Sequence, residues 1–126
     1  MGAALDNSSI PMNQPWGAAM HPDGKHVIIS DAGWNALLIM DLEHGNVSLF
    51  AGRPWDRPGS YDEVGARARF FTPRGLALSP DGDTLWVADS DNHCIRTVSL
   101  RTRRVTTYAG FVQVMTPPTN AQSLSP

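Results

Sequence analysis

Apolar and polar positions alternate in short runs along the second half of the chain. From Pro73 to Gly110 the sequence PRGLALSPDGDTLWVADSDNHCIRTVSLRTRRVTTYAG divides into four apolar-rich runs separated by three polar gaps. The runs are Gly75–Ser79, Thr84–Ala88, Cys94–Leu100 and Arg104–Tyr108, each rich in Val, Ile, Leu, Thr or aromatic residues that suit a pleated strand. The first gap, Pro80-Asp81-Gly82, is a tight-turn signal, because Gly supplies the backbone angles the turn requires. The second gap is the polar loop Asp89–His93 and the third is the basic turn Arg101–Arg103. The pattern predicts a four-stranded antiparallel meander.

The same pattern stands 58 positions earlier. PWGAAMHPDGKHVIISDAGWNALLIMDLEHGNVSLFAG, Pro15–Gly52, aligns with Pro73–Gly110 without a gap and is identical at 11 of 38 positions. An internal repeat of this length implies a modular architecture. The identities fall where backbone geometry is demanding. Asp23-Gly24 and Asp81-Gly82 close the first hairpin of each copy, and Gly17 and Gly75 open the first strand. Asp31 and Asp89 end the second strand, where a carboxylate can accept amide hydrogens from the loop that follows. These aspartates are read as structural turn residues. The chain therefore divides into an irregular segment at 1–14, a first repeat at 15–52, a connector at 53–72, a second repeat at 73–110 and a tail at 111–126. Within the connector, Val64–Phe71 is expected to make a helical turn whose Phe docks on the core. Met12 occupies the position of Phe70 in the first copy.

Composition narrows the function classes. A chain of 126 residues with 41% hydrophobic content is globular, and its net charge of −2 provides no general attraction to nucleic acid or anionic membrane. A single cysteine, Cys94, excludes an intramolecular disulfide and sits in a strand pattern, as a buried inert thiol would. No Cys/His spacing fits zinc, and no metal or cofactor is expected. No apolar run approaches a membrane span. The first ten residues, MGAALDNSSI, have neither a basic start nor an apolar core, so a cytoplasmic location is expected.

The stretch GLALSPDGDTLWVADSDNHCIRTVSL followed by VTTYAG resembles the NHL-repeat family of β-propellers, and GSYDEVGARARFFTPRGLA resembles the segment that precedes such repeats. The first copy is looser, with Ala32-Gly33-Trp34-Asn35 in place of Ser90-Asp91-Asn92-His93. The resemblance implies an all-β fold in which each repeat forms one four-stranded antiparallel blade of a closed ring, commonly of about six blades. Two blades leave apolar faces uncovered. The expectation is therefore part of a larger propeller, or one completed by self-association or by a protein partner.

The meander places the Asp31–Asn35 and Asp89–His93 loops on one side of the fold with the connector. That side gathers the candidate binding residues Trp34, Asn35, Trp55, Tyr61, Asp62, Asp91, Asn92 and His93, the aromatic and polar types that recognition surfaces use. Arg101, Arg103 and Arg104, with Arg96 nearby, form one basic cluster. RNA-binding members of the resembling family use a basic surface, but the first copy has Glu43-His44-Gly45-Asn46 at the corresponding turn. The cluster is read as a solvated turn, and nucleic acid is the less favoured partner. Related propellers also include metal-dependent hydrolases and lyases. The Asp89–His93 loop superficially fits a cation but lacks the Gly and Glu of an EF-hand, holding Cys94 and Leu100 there. His93 is the best acid/base candidate, yet its counterpart is Asn35, and no catalytic residue is assigned. The sequence favours a non-catalytic propeller segment acting as a protein-protein interaction scaffold.

Overall fold

The computed structural model describes residues 9–110, so the tail at 111–126 and the first eight residues lie outside it. Eight strands follow in order: β1 (Pro15–Met20), β2 (His26–Asp31), β3 (Ala36–Asp41), β4 (Val47–Gly52), β5 (Pro73–Leu78), β6 (Thr84–Asp89), β7 (Cys94–Ser99) and β8 (Val105–Gly110). They form two separate antiparallel sheets, β1-β2-β3-β4 and β5-β6-β7-β8. Two 3-10 turns, Gly65–Arg67 and Ser90–Asn92, are the only helical elements among the described residues.

The hairpins close as their turn chemistry requires. Asp23 accepts the backbone N–H groups of Lys25 and His26, and Gly24 takes φ +69°. In the second sheet Asp81 accepts the N–H of Asp83 at 2.9 Å, and Gly82 takes φ +80°. The last strand starts and ends later than its apolar run, and β5 starts earlier. Register shifts explain the difference: bulges between Pro73 and Leu76 and between Ile95 and Arg96 let Pro73 pair with Asp89 and Gly110 with Cys94.

Alternation gives each sheet two faces. On the first sheet, Ile28, Leu37, Phe50 and Ala51 point one way, which we term the front, while Ile29, Leu38 and Val47 point to the back. The second sheet lays its back on the front of the first, so that Leu85, Val87, Val98 and Val105 join Ile28, Leu37, Phe50 and Ala51 in one core. The connector completes that core with Ala68 and Phe70, both fully buried. Met12, the counterpart of Phe70, remains 39% exposed.

The seam between the sheets is close. Ser30 donates its hydroxyl to the Arg74 carbonyl, and Asn35 Oδ1 accepts the Thr72 N–H at 2.7 Å. A Cβ built on Gly17 would come within 2.5 Å of the Arg74 carbonyl oxygen, so only glycine lets the strands approach this far.

Candidate interaction surface

The loop residues singled out in the sequence divide into three groups rather than one site. Trp34 and Trp55 bring their rings to 5.1 Å, with Trp34 Nε1 donating to the Pro11 carbonyl at 2.8 Å and Trp55 exposed at φ +65°. Asn35 and Asp91 both engage Thr72, the first through its N–H and the second through its hydroxyl. His93 is exposed at φ +57°, matching Asn35 at +56°.

Tyr61, Asp62 and Asn92 belong to a third group organised by Arg96. Arg96 was expected beside the basic turn, but its side chain is fully buried among the connector and β6. Its Nη1 donates to Asp89 Oδ2 at 2.7 Å and to the Arg69 carbonyl at 3.0 Å. Its Nη2 donates to Asp62 Oδ1 at 2.8 Å and to the Tyr61 carbonyl at 3.0 Å, while the guanidinium lies 5.1 Å from the centre of the Phe70 ring. Asn92 is likewise buried, donating to Asp89 Oδ2 and the Gly59 carbonyl, each at 2.7 Å, so it presents no recognition surface. Asp89 therefore does not cap its own loop. It accepts from Phe71 N–H, Asn92 and Arg96, whereas its counterpart Asp31 accepts the N–H groups of Asn13, Gln14, Gly33 and Trp34. Burial pushes the Asp89 carboxyl above its ordinary value, against the opposing pull of Asn92, the Phe71 amide and Arg96. Register carries a signal for Arg96: it pairs with Val87 and stands two residues from Val98, on the buried face.

Arg103 is also removed from the basic turn, donating to the Leu49 carbonyl at 3.3 Å and lying 4.5 Å from the Phe50 ring centre on the first sheet. Cys94 is buried, and burial raises its thiol pKa, which suits packing rather than nucleophilic attack. Among the described residues, no group of three or more His, Cys, Asp or Glu side chains converges as a metal site, and no helix is long and apolar enough to cross a membrane.

Aspartates at three hairpin turns and one in the connector contribute to the response to acid. The Lys25 amide holds the Asp23 carboxyl down at about 2, and the His44 amide, the Arg57 amide and the Ser79 hydroxyl lower Asp41, Asp56 and Asp81 in turn. Since the unfolded groups titrate near 3.8, the stability they add is present above that pH and is lost as pH falls through the lowered values. The urea midpoint is thus expected to fall on acidification from neutrality to about pH 2, and Asp23→Ala is expected to shrink that fall. An unchanged acid response in the variant would count against the assignment.

Among the described residues, the front of the second sheet is an uncovered apolar face. Cross-strand rows Ala77–Trp86–Thr97–Thr106 and Ala88–Ile95–Ala109 line it, and the Trp86 and Tyr108 rings pack edge to face at 4.7 Å. Ile95 is 37% exposed and Tyr108 67%, whereas their counterparts on the first sheet, Leu37 and Phe50, are 0% and 2% exposed. Gly75, counterpart of the crowded Gly17, has only Ala88 Cβ near its missing side chain, at 3.7 Å. The same face is filled in one sheet and open in the other.

Two four-stranded meanders of this kind, each laid against the face of the next, are blades of a β-propeller. Within that class the chain belongs to the NHL-repeat proteins, and residues 72–97 match the NHL repeat itself. It is 30% identical over 114 residues to the chicken (Gallus gallus) NHL repeat-containing protein 2, covering 88% of this chain and 15% of the relative. It is 33% identical over 114 residues to the Arabidopsis thaliana protein SUPPRESSOR OF QUENCHING 1, chloroplastic, covering 82% of this chain and 11% of the relative. Among solved structures, an auxiliary nutrient binding protein from Bacteroides ovatus superposes with a TM-score of 0.62 at 26% identity, over 74% of this chain and 25% of that one. A protein of unknown function from Bacteroides thetaiotaomicron superposes with a TM-score of 0.69 at 22% identity, over 79% of this chain and 24% of that one, which shows the fold alone. The chain thus spans a small fraction of the curated relatives it matches.

Proposed function

We propose that this blade pair is a non-catalytic interaction scaffold whose working surface is the open front of the second blade. The observation that carries the reading is the contrast between equivalent positions: Leu37 and Phe50 are buried by the neighbouring blade, while Ile95 and Tyr108 are exposed. An apolar patch with a central aromatic pair and a Thr-bearing margin has the composition of a protein-binding surface. The absence of charge from its strand rows disfavours a nucleic-acid partner, which would seek a basic surface. The loop residues expected to bind a partner are largely occupied in holding connector and blades together.

A photo-crosslinking residue in place of Tyr108 tests the reading. It is expected to capture a protein on illumination, while the same residue in place of the exposed Glu43, at a turn outside the front face, captures none. Absence of any protein adduct at position 108 would overturn the proposal.

A further inference from the structure

We propose that Trp34 and Trp55, with the cleft beside them, bind a short acidic peptide segment of a protein partner through an apolar side chain and an adjacent carboxylate. This surface is separate from the open front of the second blade and goes beyond the reading above. Its basis is an aromatic pair that the fold fixes in place but does not need. Trp34 is held at both ends: its backbone N–H donates to Asp31 Oδ1 at 3.0 Å and its indole Nε1 to the Pro11 carbonyl at 2.8 Å. Trp55 lies against it, with ring centres 5.1 Å apart and planes tilted by 54°. Trp55 is nonetheless 67% exposed, and its φ of +65° is strained for so bulky a side chain. Burial does not account for a strained residue that presents its ring to solvent. In the second copy Trp34 is replaced by Asn92, which is buried on Asp89 and the Gly59 carbonyl, so a blade of this kind closes without the tryptophan.

The chemistry beside the pair selects the partner. A cleft of about 360 Å³ adjoins Trp55 and is lined by Asp56, Arg57, Pro58, Tyr61 and Arg69. Arg69 is fully engaged: Nη2 donates to Asp56 Oδ2 at 2.9 Å, and Nη1 donates to the Ala66 and Ala68 carbonyls at 3.0 and 2.9 Å. Its guanidinium lies 5.8 Å from the centre of the Tyr61 ring. Asp62 and Glu63, the other carboxylates of the connector, are paired with Arg96 and Arg67. Arg53 and Arg57, on either side of Trp55 in sequence, are exposed and form no ion pair among the described residues, which leaves positive charge in excess there. A carboxylate entering the cleft meets Arg57, while an apolar side chain next to it covers the open face of Trp55. The anchored Trp34 backs that ring, so little ordering is needed on binding, and Trp and Arg are the types that dominate binding energy. Asp56, Asp62 and Glu63 interleave with the arginines along the connector. A continuous phosphate backbone would be repelled at those carboxylates, whereas a short acidic segment places its charge at Arg57 alone.

Fluorescence anisotropy of a fluorescein-labelled peptide of alternating glutamate and leucine, titrated with the whole 126-residue chain, tests the assignment. The wild type is expected to bind this peptide and to lose affinity as salt is raised, and to ignore a peptide with lysine in place of glutamate. Trp55→Gly suits the left-handed backbone, so it is expected to keep or raise the urea midpoint while binding at least about tenfold more weakly. Arg57→Glu is expected to weaken binding by about the same factor. Trp16→Ala, at another exposed tryptophan, and Ile95→Asp, on the front of the second blade, are expected to leave binding unchanged. No binding of the glutamate peptide by the wild type would overturn the proposal, as would binding that survives both Trp55→Gly and Arg57→Glu. Tighter binding of a single-stranded oligothymidylate than of the peptide, lost in the same variants, would overturn it in favour of a nucleic-acid surface. Crosslinking at position 108 reads the front of the second blade independently, so either reading can fail without the other.

Discussion

Replacing Arg96 by Ala is expected to destabilise the chain by about 3–5 kcal/mol, the cost of removing one partner of a buried ion pair. The substitution strands Asp89, fully buried, with only the Phe71 N–H and the Asn92 amide as donors. It also removes the donors that tie the Arg69 and Tyr61 carbonyls and the Asp62 carboxylate to β7. Against a typical domain stability of about 5–15 kcal/mol, the loss should move the urea midpoint by a large fraction of its value. Arg96→Leu, which copies Leu38 of the first blade, should lose most of the same stability, and adding Asp89→Asn should restore part of it. Urea unfolding followed by tryptophan fluorescence checks the series. A loss of under about 1 kcal/mol for Arg96→Ala would mean that the connector holds without the ion pair.

Phe70→Ala is expected to cost about 3–5 kcal/mol and to loosen one blade from the other. Its ring is fully buried in the shared core, with Ile28, Leu37 and Phe50 of the first blade and Leu85, Val87 and Val98 of the second. Deleting it opens a cavity at the joint rather than inside either sheet. Arg96 lies over the same ring, so the double variant Phe70→Ala/Arg96→Ala should lose less than the sum of the single losses. Amide hydrogen exchange should show faster opening of β4 and β8 in the Phe70 variant, with hairpin β2–β3 least affected. Additive losses, or exchange that rises uniformly, would show that Phe70 packs within one blade only.

Much of the fold was legible because the signals are local and repeated. Two aligned Pro-Asp-Gly turns, period-two alternation and an ungapped offset define two meanders, whereas Gly17 and Gly75 align equally and only the structure shows that Gly17 alone sits at a close seam. What the sequence hid depends on register. Arg96 reads as one more arginine near a basic turn, and only its pairing with Val87 places it on the buried face. Asn92 reads as a polar loop tip, and only the fold of the connector brings the Gly59 carbonyl to its amide. Asp31 and Asp89 are identical in the alignment and accept equivalent amides, Asn13 N–H and Phe71 N–H, yet their other partners differ, with Asp89 turned to Arg96 where the first copy has Leu38. Asn35 and His93 share a left-handed backbone, a conformation set by the turn geometry and not evident from two unlike side chains. The open front was implied by two repeats, but its residues could be named only when the structure showed which side of each strand the neighbouring blade covers.

The front of the second blade, as the proposed docking surface, should be covered when the chain is at work. Thiol labelling of Ile95→Cys in a Cys94→Ala background measures this directly, with Glu43→Cys, whose native side chain is 84% exposed, as the free control. In dilute purified protein both positions should label readily. In extract of cells that make the protein, position 95 should become protected while position 43 stays reactive. Equal reactivity of the two positions under every condition would contradict the claim.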